Sequence, residues 1–386
     1  MTINMGPQHP STHGVLRLEV ELDGEVCLSV IPHIGYLHTG IEKTGEKETW
    51  HKGITLYDRM DYLSPISNNA AYILALEQLC GVTPSEKATI VRVLLVELQR
   101  IGSHLVWLGT SAIDLGATTP FLWAMREREK ILDIFEMVSG VRMMTSYLQE
   151  GGLAKDLPHG WMETVGQFLK TFPAAYNELR VLLERNPIWV RRTKGVGFIN
   201  AQDIRDFGLT GPIARASGVG GDLRKTNPYM GYETYDFDVP MHTDGDVYAR
   251  FWCRLMEIGE SHKIAVQAHE RLKTATGDYR SHHPLFVAPI RERVHESMEA
   301  LIRHFKFYTS GYAPPVGDVY VAIEAPKGEI GFYLVSDGTE RPRRVKVRPP
   351  SFVNLSVIER VGPGHLLSDL VAIIGSLDIV LGEIDR

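Results

Sequence analysis

Two imidazoles, His9 and His13, stand in Gly6-Pro7-Gln8-His9-Pro10-Ser11-Thr12-His13-Gly14, a stretch stiffened by two prolines and two glycines. A stiff polar loop presents its side chains, so these histidines could exchange protons with a ligand. A capped strand entry with each His bonded to backbone explains the same residues at least as well. Titratable groups concentrate again in Pro32 to Lys43, which holds His33, Tyr36 and His38, and in Asp58-Arg59-Met60-Asp61-Tyr62. His, Tyr, Arg and Asp brought together would make a proton-donating or a metal site. The His spacings fit neither H-E-x-x-H nor a Cys/His zinc pattern, and Arg–Asp pairs often only tie loops together. Asp114 is the notable carboxylate. It is expected in an apolar connection between two long helices, where a charge needs a partner or a raised pKa; the plainer alternative is a loop Asp accepting backbone N–H groups. His104, beside Leu105 and Val106, reads as a satisfied core histidine, and His262 and His269, seven apart on one helix, read the same way.

Other chemistries lack their motifs. There is no Walker A sequence and no Gly-x-Ser-x-Gly elbow, and Gly195-Val196-Gly197-Phe198-Ile199-Asn200 misses the third glycine of a dinucleotide loop. Cys27, Cys80 and Cys253 form no C-x-x-C pair, which argues against a disulfide framework or a self-contained iron–sulfur site and for a reducing compartment. With 41 Lys+Arg against 47 Asp+Glu the net charge is −6, the wrong sign for a nucleic-acid binder. Basic stretches such as Arg291 to Arg293 and Arg341 to Arg348 are local and read as solvated or protein-facing. The longest apolar stretch, Leu366 to Leu381, is broken by Asp369 and Asp378 and is too short to span a bilayer. The first residues lack a signal peptide's basic and apolar regions, so no secretory leader is expected.

The elements that must hold these groups follow from periodicity. Leu16, Leu18, Val20 and Leu22 alternate with charged residues, and Asp23-Gly24 is the expected turn of a hairpin ending near Pro32. Thr83-Pro84-Ser85-Glu86 predicts a helix capped by Thr83 and running through Leu108; Thr119-Pro120 predicts a second that stops at Gly151-Gly152. Further helices are expected over about Trp161 to Arg185, with a break near Pro173, then Asp246 to Lys273 and Val294 to Tyr308. Residues 195–240 lose periodicity and read as an ordered, aromatic-rich loop. Alternation returns in Val319 to Glu324, Ile330 to Ser336 and Arg344 to Val347, before a short helix from Leu366 to Gly375. The fold class is α+β: a central bundle of long helices flanked by one antiparallel β layer drawn from both ends of the chain.

Several longer motifs carry a resemblance. Gly6 to Gly14, Pro32 to Lys43, Arg59 to Tyr62, Ser103-His104-Leu105, Asp114 to Pro120, Arg126 to Glu129, Arg215 to Gly218, Gly231-Tyr232-Glu233 and Pro350 to Asn354 together closely resemble the D-subunit family of NADH-quinone oxidoreductase, the bacterial respiratory complex I. That family is in turn similar to the large subunit of [NiFe] hydrogenases, which hold nickel through two C-x-x-C pairs. The corresponding stretches here are Arg59-Met60-Asp61-Tyr62-Leu63-Ser64 and Asp378 to Arg386, with no cysteine in either. The resemblance thus implies a hydrogenase-like fold whose former metal pocket takes a quinone headgroup.

It further implies that Tyr62, His13 and Asp114 are the catalytic groups, with Asp114 pairing His13, and that His13, Tyr62 and Val380 contact the quinone. Arg59 would face a [4Fe–4S] cluster in the adjacent subunit; no cofactor and no metal would be bound by this chain itself. Thr39 and Met144 depart from the family's pattern, standing where relatives carry Arg and His. The implied partners are the cluster-bearing B subunit, the C and I subunits, and the membrane-embedded H and A subunits of complex I. The implied location is the cytoplasmic side of the cell inner membrane, as a peripheral protein without a transmembrane segment. Residues 1–386 are expected to form one quinone-site domain: a β-rich N-terminal region over 1–65, a helical core over 66–310 and a β plus C-terminal region over 311–386. Two other readings are a nickel-dependent hydrogenase-like enzyme, against which the missing cysteines speak, and a scaffold subunit of a related membrane-bound complex.

Overall fold

The computed structural model of the chain describes residues 1–8 and 14–386, so His9 and His13 lie outside the described residues. Thr2–Met5, Arg17–Asp23 and Val26–His33 form an antiparallel three-stranded sheet. Leu16, Leu18 and Val20 point into the core while Glu21 is exposed, as the alternation requires. The turn lies one residue later than expected. Asp23 pairs with Val26, leaving Gly24 and Glu25 as the turn, and Gly24 takes the left-handed backbone (φ 62°) that a tight hairpin needs at its first position. Gly317–Ala325, Gly328–Ser336 and Arg344–Arg348 form a second antiparallel sheet. The two sheets are separate, which corrects the expectation of a single β layer: the first packs on the Ile358–Val361 helix, the second on Pro65–Cys80.

The helix Glu86–Asp114 is 29 residues long, about 43 Å at 1.5 Å per residue. Its cap is Ser85, whose hydroxyl accepts from the Ala88 N–H at 3.1 Å, not Thr83. It also runs past Leu108, because Gly116 (φ 88°) is the first residue beyond it to take a left-handed backbone. Asp114 is therefore the last residue of this helix and does not lie in the connection to the next, which is residues 115–117. Thr118–Ser139 follows and stops at Gly140 (φ 82°), well before Gly151-Gly152, a turn residue and the first strand residue after it in a short hairpin. Glu86–Asp114 packs along Thr118–Ser139 and Val247–Leu272, and both of these also meet Trp161–Glu184.

Trp161–Glu184 passes through Pro173 without the expected break. Proline cannot donate to the carbonyl four residues earlier, which leaves the Leu169 oxygen without its helical partner. The His262 Nε2–H donates to that oxygen at 2.8 Å. His269 donates likewise to the Met162 carbonyl at 2.9 Å, so both are core histidines with satisfied rings. Residues 195–240 carry short helices at Ala201–Phe207, Pro212–Ala216 and Leu223–Thr226, too brief to show as periodicity. Met298–Ser310 is helical but starts four residues later than expected, Ser297 capping it through the Ala300 N–H. Among the described residues no helix is long and apolar enough to cross a membrane.

Candidate functional site

Three segments far apart in sequence meet on one side of the fold. The Asp385 carboxylate accepts the Gly35 and Leu37 N–H groups at 2.8 and 2.7 Å, tying segment 378–386 to the loop after the first sheet. Gly382 lies against the loop at 58–64. A Cβ there would sit 2.6 Å from the Met60 carbonyl oxygen and 3.0 Å from that of Arg59, so backbone packs on backbone. Gly382→Ala should cost about 1–3 kcal/mol as an overpacked contact. A thermal midpoint unchanged from wild type would show that the two segments have slack there.

Lys327 occupies the space between these segments. It is the second residue of the two-residue turn between Ala325 and Gly328, and it is buried. Its Nζ lies 3.2 Å from Asp61 Oδ2, 3.2 Å from Ser103 Oγ and 3.8 Å from Asp378 Oδ1. Burial alone would lower its pKa; Asp378, Asp61 and Glu383 outweigh that and hold it above the usual lysine value. Glu383 accepts the N–H of Ser351 at 3.1 Å and also its hydroxyl, while Glu383 Oε1 has no partner. Burial, then the Asp61 charge, pushes Glu383 up to about 7.

Tyr62 follows Asp61 on the same loop and is half-buried. Burial is the main reason its phenol titrates above the usual value; Asp61 adds to the shift and Lys327 opposes it. Val380 is buried on the facing segment, its N–H donating to Ser351 Oγ at 3.4 Å. Arg59 is exposed at the edge of the loop and donates to the Thr55 carbonyl. Asp114 lines a narrow apolar crevice with Trp107, Leu115, Val371 and Ser376, and Trp107 Nε1–H donates to the Gly375 carbonyl at 2.6 Å. The helix leading into segment 378–386 therefore also walls the crevice that holds Asp114. The pairing of His13 with Asp114 lies outside the described residues.

Nothing in the sequence marks Lys327, Glu383 and Arg254 as belonging to a site. Arg254 sits 4.4 Å over the Trp107 ring with its Nε 3.7 Å from Asp378 Oδ2. The only signal is a lysine in the turn between two apolar strands, a pattern shared by countless surface hairpins. His104 differs from expectation too. It is fully buried, yet neither ring nitrogen has a hydrogen-bond partner, and its Nε2 only approaches Glu257 Oε2, at 3.4 Å. Burial keeps it neutral by lowering its pKa against the pull of Glu257. Behind it, Arg100, Arg215 and Arg224 interlock with Glu97, Glu257, Asp222 and Glu324, all buried.

Among the described residues no group of three or more His, Cys, Asp or Glu side chains could hold a metal ion, and the three cysteines are free. At this site a half-buried phenol stands beside a buried lysine–carboxylate cluster. Residues 114–386 match the model of the family described as respiratory-chain NADH dehydrogenase, 49 Kd subunit. The chain belongs to that family. It is 54% identical over 386 residues to the NADH-quinone oxidoreductase D subunit of Geotalea uraniireducens (strain Rf4), covering 100% of this chain and 98% of the relative. The D 2 subunit of Roseiflexus sp. (strain RS-1) is 55% identical over 387 residues, covering 100% and 93%, and the D subunit of Geobacter sulfurreducens is 50% identical over 386 residues, covering 100% and 98%. These matches run the length of the chain, so segments 58–64 and 378–386 both fall within the similarity.

Proposed function

We propose that this chain is the quinone-reducing subunit of a multisubunit NADH-quinone oxidoreductase, with a fold like that of the [NiFe] hydrogenase large subunit. The observation that carries the reading is the half-buried Tyr62 phenol beside the Asp61–Lys327 pair, on a loop closed over by segment 378–386 in a chain of the D-subunit family. A quinone accepts two electrons and two protons, and the charge that builds on its oxygens needs donors already in place where water is scarce. Tyr62 donates a hydrogen bond to one oxygen and, as charge develops, its proton. Val380 gives the headgroup an apolar wall. His13 is assigned the second proton, and Asp114 the role of holding that imidazole charged. Electrons enter from a neighbouring subunit's iron–sulfur cluster past Arg59, so this chain itself carries no redox cofactor and no metal.

In this reading the whole chain acts as one quinone-site domain and docks peripherally at the cytoplasmic face of the inner membrane. Its neighbours are the cluster-bearing B subunit, the C and I subunits, and the membrane-embedded H and A subunits. A photoreactive quinone analogue irradiated on the intact complex should label peptides containing Tyr62 or Val380, and excess quinone should protect them. Labelling confined to other subunits would favour a scaffold role for this chain instead.

A further inference from the structure

We propose that Asp61, Lys327, Asp378 and Glu383 form a buried proton store that reloads Tyr62 after it has protonated the quinone, with Glu383 as the carboxyl carrying the exchangeable proton. This rests on the reading of Tyr62 as the quinone's donor. A phenol that gives up its proton must regain one before the next turnover, and the groups that bear on Tyr62 electrostatically are Asp61 and Lys327.

The cluster holds one acid more than its bases can balance. Asp61, Asp378 and Glu383 could carry three negative charges, while Lys327 and Arg254 supply two positive ones, and all five side chains are buried. An uncompensated buried charge is costly, so one carboxyl keeps a proton. The cation contacts select which. Asp61 has Lys327 at 3.2 Å and accepts the Leu63 N–H at 3.1 Å. Asp378 lies between Lys327 and Arg254. Asp378 Oδ2 also lacks a hydrogen bond but keeps the Arg254 guanidinium at 3.7 Å, whereas Glu383 has only Ser351 on one oxygen, a buried Oε1 without a hydrogen-bond partner and no ion pair among the described residues, so its charge is the least well compensated of the three. Burial and the facing Asp61 act in the same direction, pushing Glu383 up to about 7. The groups facing it are Asp61 from loop 58–64, Lys327 from the turn between the strands and Ser351 from the helix Pro350–Leu355.

The steps balance. As electrons arrive from the neighbouring subunit, the Tyr62 O–H bond breaks and its proton joins the quinone oxygen. The Glu383 O–H then breaks, the proton passes by way of Asp61, and the Tyr62 O–H re-forms. Lys327 stabilises the carboxylate left behind until a proton from solvent restores it. The store works only while Glu383 is protonated, so quinone reduction should decline as pH rises through about 7.

The test is the pH profile of quinone reduction by the purified intact complex carrying Glu383→Gln, which keeps the shape and cannot titrate. The expected result is a loss of about tenfold at low pH, less than for a direct proton donor, and disappearance of the inflection near pH 7. Glu383→Asp should keep an inflection. Ser351→Ala removes a donor to the ionised form and should move the inflection to higher pH, which keeps the idea testable if the Gln variant fails to assemble. A wild-type inflection in Glu383→Gln, or an unmoved one in Ser351→Ala, would overturn the proton store. Tyr62→Phe run in parallel separates the two readings: normal quinone reduction there defeats the quinone site itself, whereas a crippled Tyr62→Phe beside an unaltered Glu383→Gln defeats only the store.

Discussion

Tyr62→Phe is expected to lower quinone reduction by about 10²–10⁴-fold, the usual contribution of a positioned general acid. The substitution removes one oxygen and leaves the ring, so packing within the loop at 58–64 is preserved. Tyr62 is half-buried, and burial together with the Asp61 charge disfavours its ionised form, so the phenol keeps its proton until charge develops on an oxygen beside it. Phenylalanine can neither donate that hydrogen bond nor release a proton. The loss should fall on kcat more than on KM, because the interaction strengthens as the transition state forms. Electron transfer to an artificial acceptor that takes electrons upstream of the quinone should persist, showing that the complex is assembled. Quinone turnover at the wild-type rate would remove Tyr62 from the chemistry.

The second large effect concerns stability. Arg224 donates to Asp222, Glu97 and Glu257 at 2.6–3.2 Å, and its guanidinium faces the Phe237 ring at 5.0 Å. Glu257 is held far below the usual carboxylate range, Arg215 and Arg100 outweighing the burial that would raise it. Three arginines face four carboxylates here. The excess falls on Glu324, whose pKa is raised first by burial and then by Asp222. Arg224→Met deletes one buried cation, leaving Asp222 with only Arg215 at 3.8 Å and Glu97 with Arg100 at 3.3 Å, a loss of charge balance that costs about 3–5 kcal/mol. The measurement is the thermal midpoint of the complex together with the yield in which it assembles. A loss below about 1 kcal/mol would mean that water enters to solvate these carboxylates. Replacing both partners by apolar residues of similar volume should recover most of the loss, since the pair is expensive to break and cheap to replace.

The long helices were legible because each buries a stripe of side chains at helical period, as the buried Val91, Leu94, Leu98, Ile101 and Leu105 show. Their ends were less so. Ser85 displaces Thr83 as the cap, and Gly116 and Gly140 decide where two helices stop, because the competing signals at Thr83-Pro84 and Gly151-Gly152 are chemically as good and only packing chooses between them. Pro173 reads as a break because its cost in an isolated helix is high; His262, from another helix, satisfies the carbonyl that the proline leaves open.

The proposal of Tyr62, Arg59 and Val380 comes from the chain alone, because they sit inside motifs whose residue types and order mark the family. The absence of cysteines at Asp61, Ser64 and segment 378–386 likewise needed no structure. What only the tertiary structure decided is that Lys327, from a turn more than 260 residues beyond Asp61, fills the gap between the two motif segments, and that His104 sits buried with an unpartnered ring. The reason is physical. Helical and strand periodicity report which face of an element is buried, but a lone lysine, glutamate or histidine gains its meaning from the charges that folding brings within a few ångströms, and in a buried site those distances set both its protonation and its use.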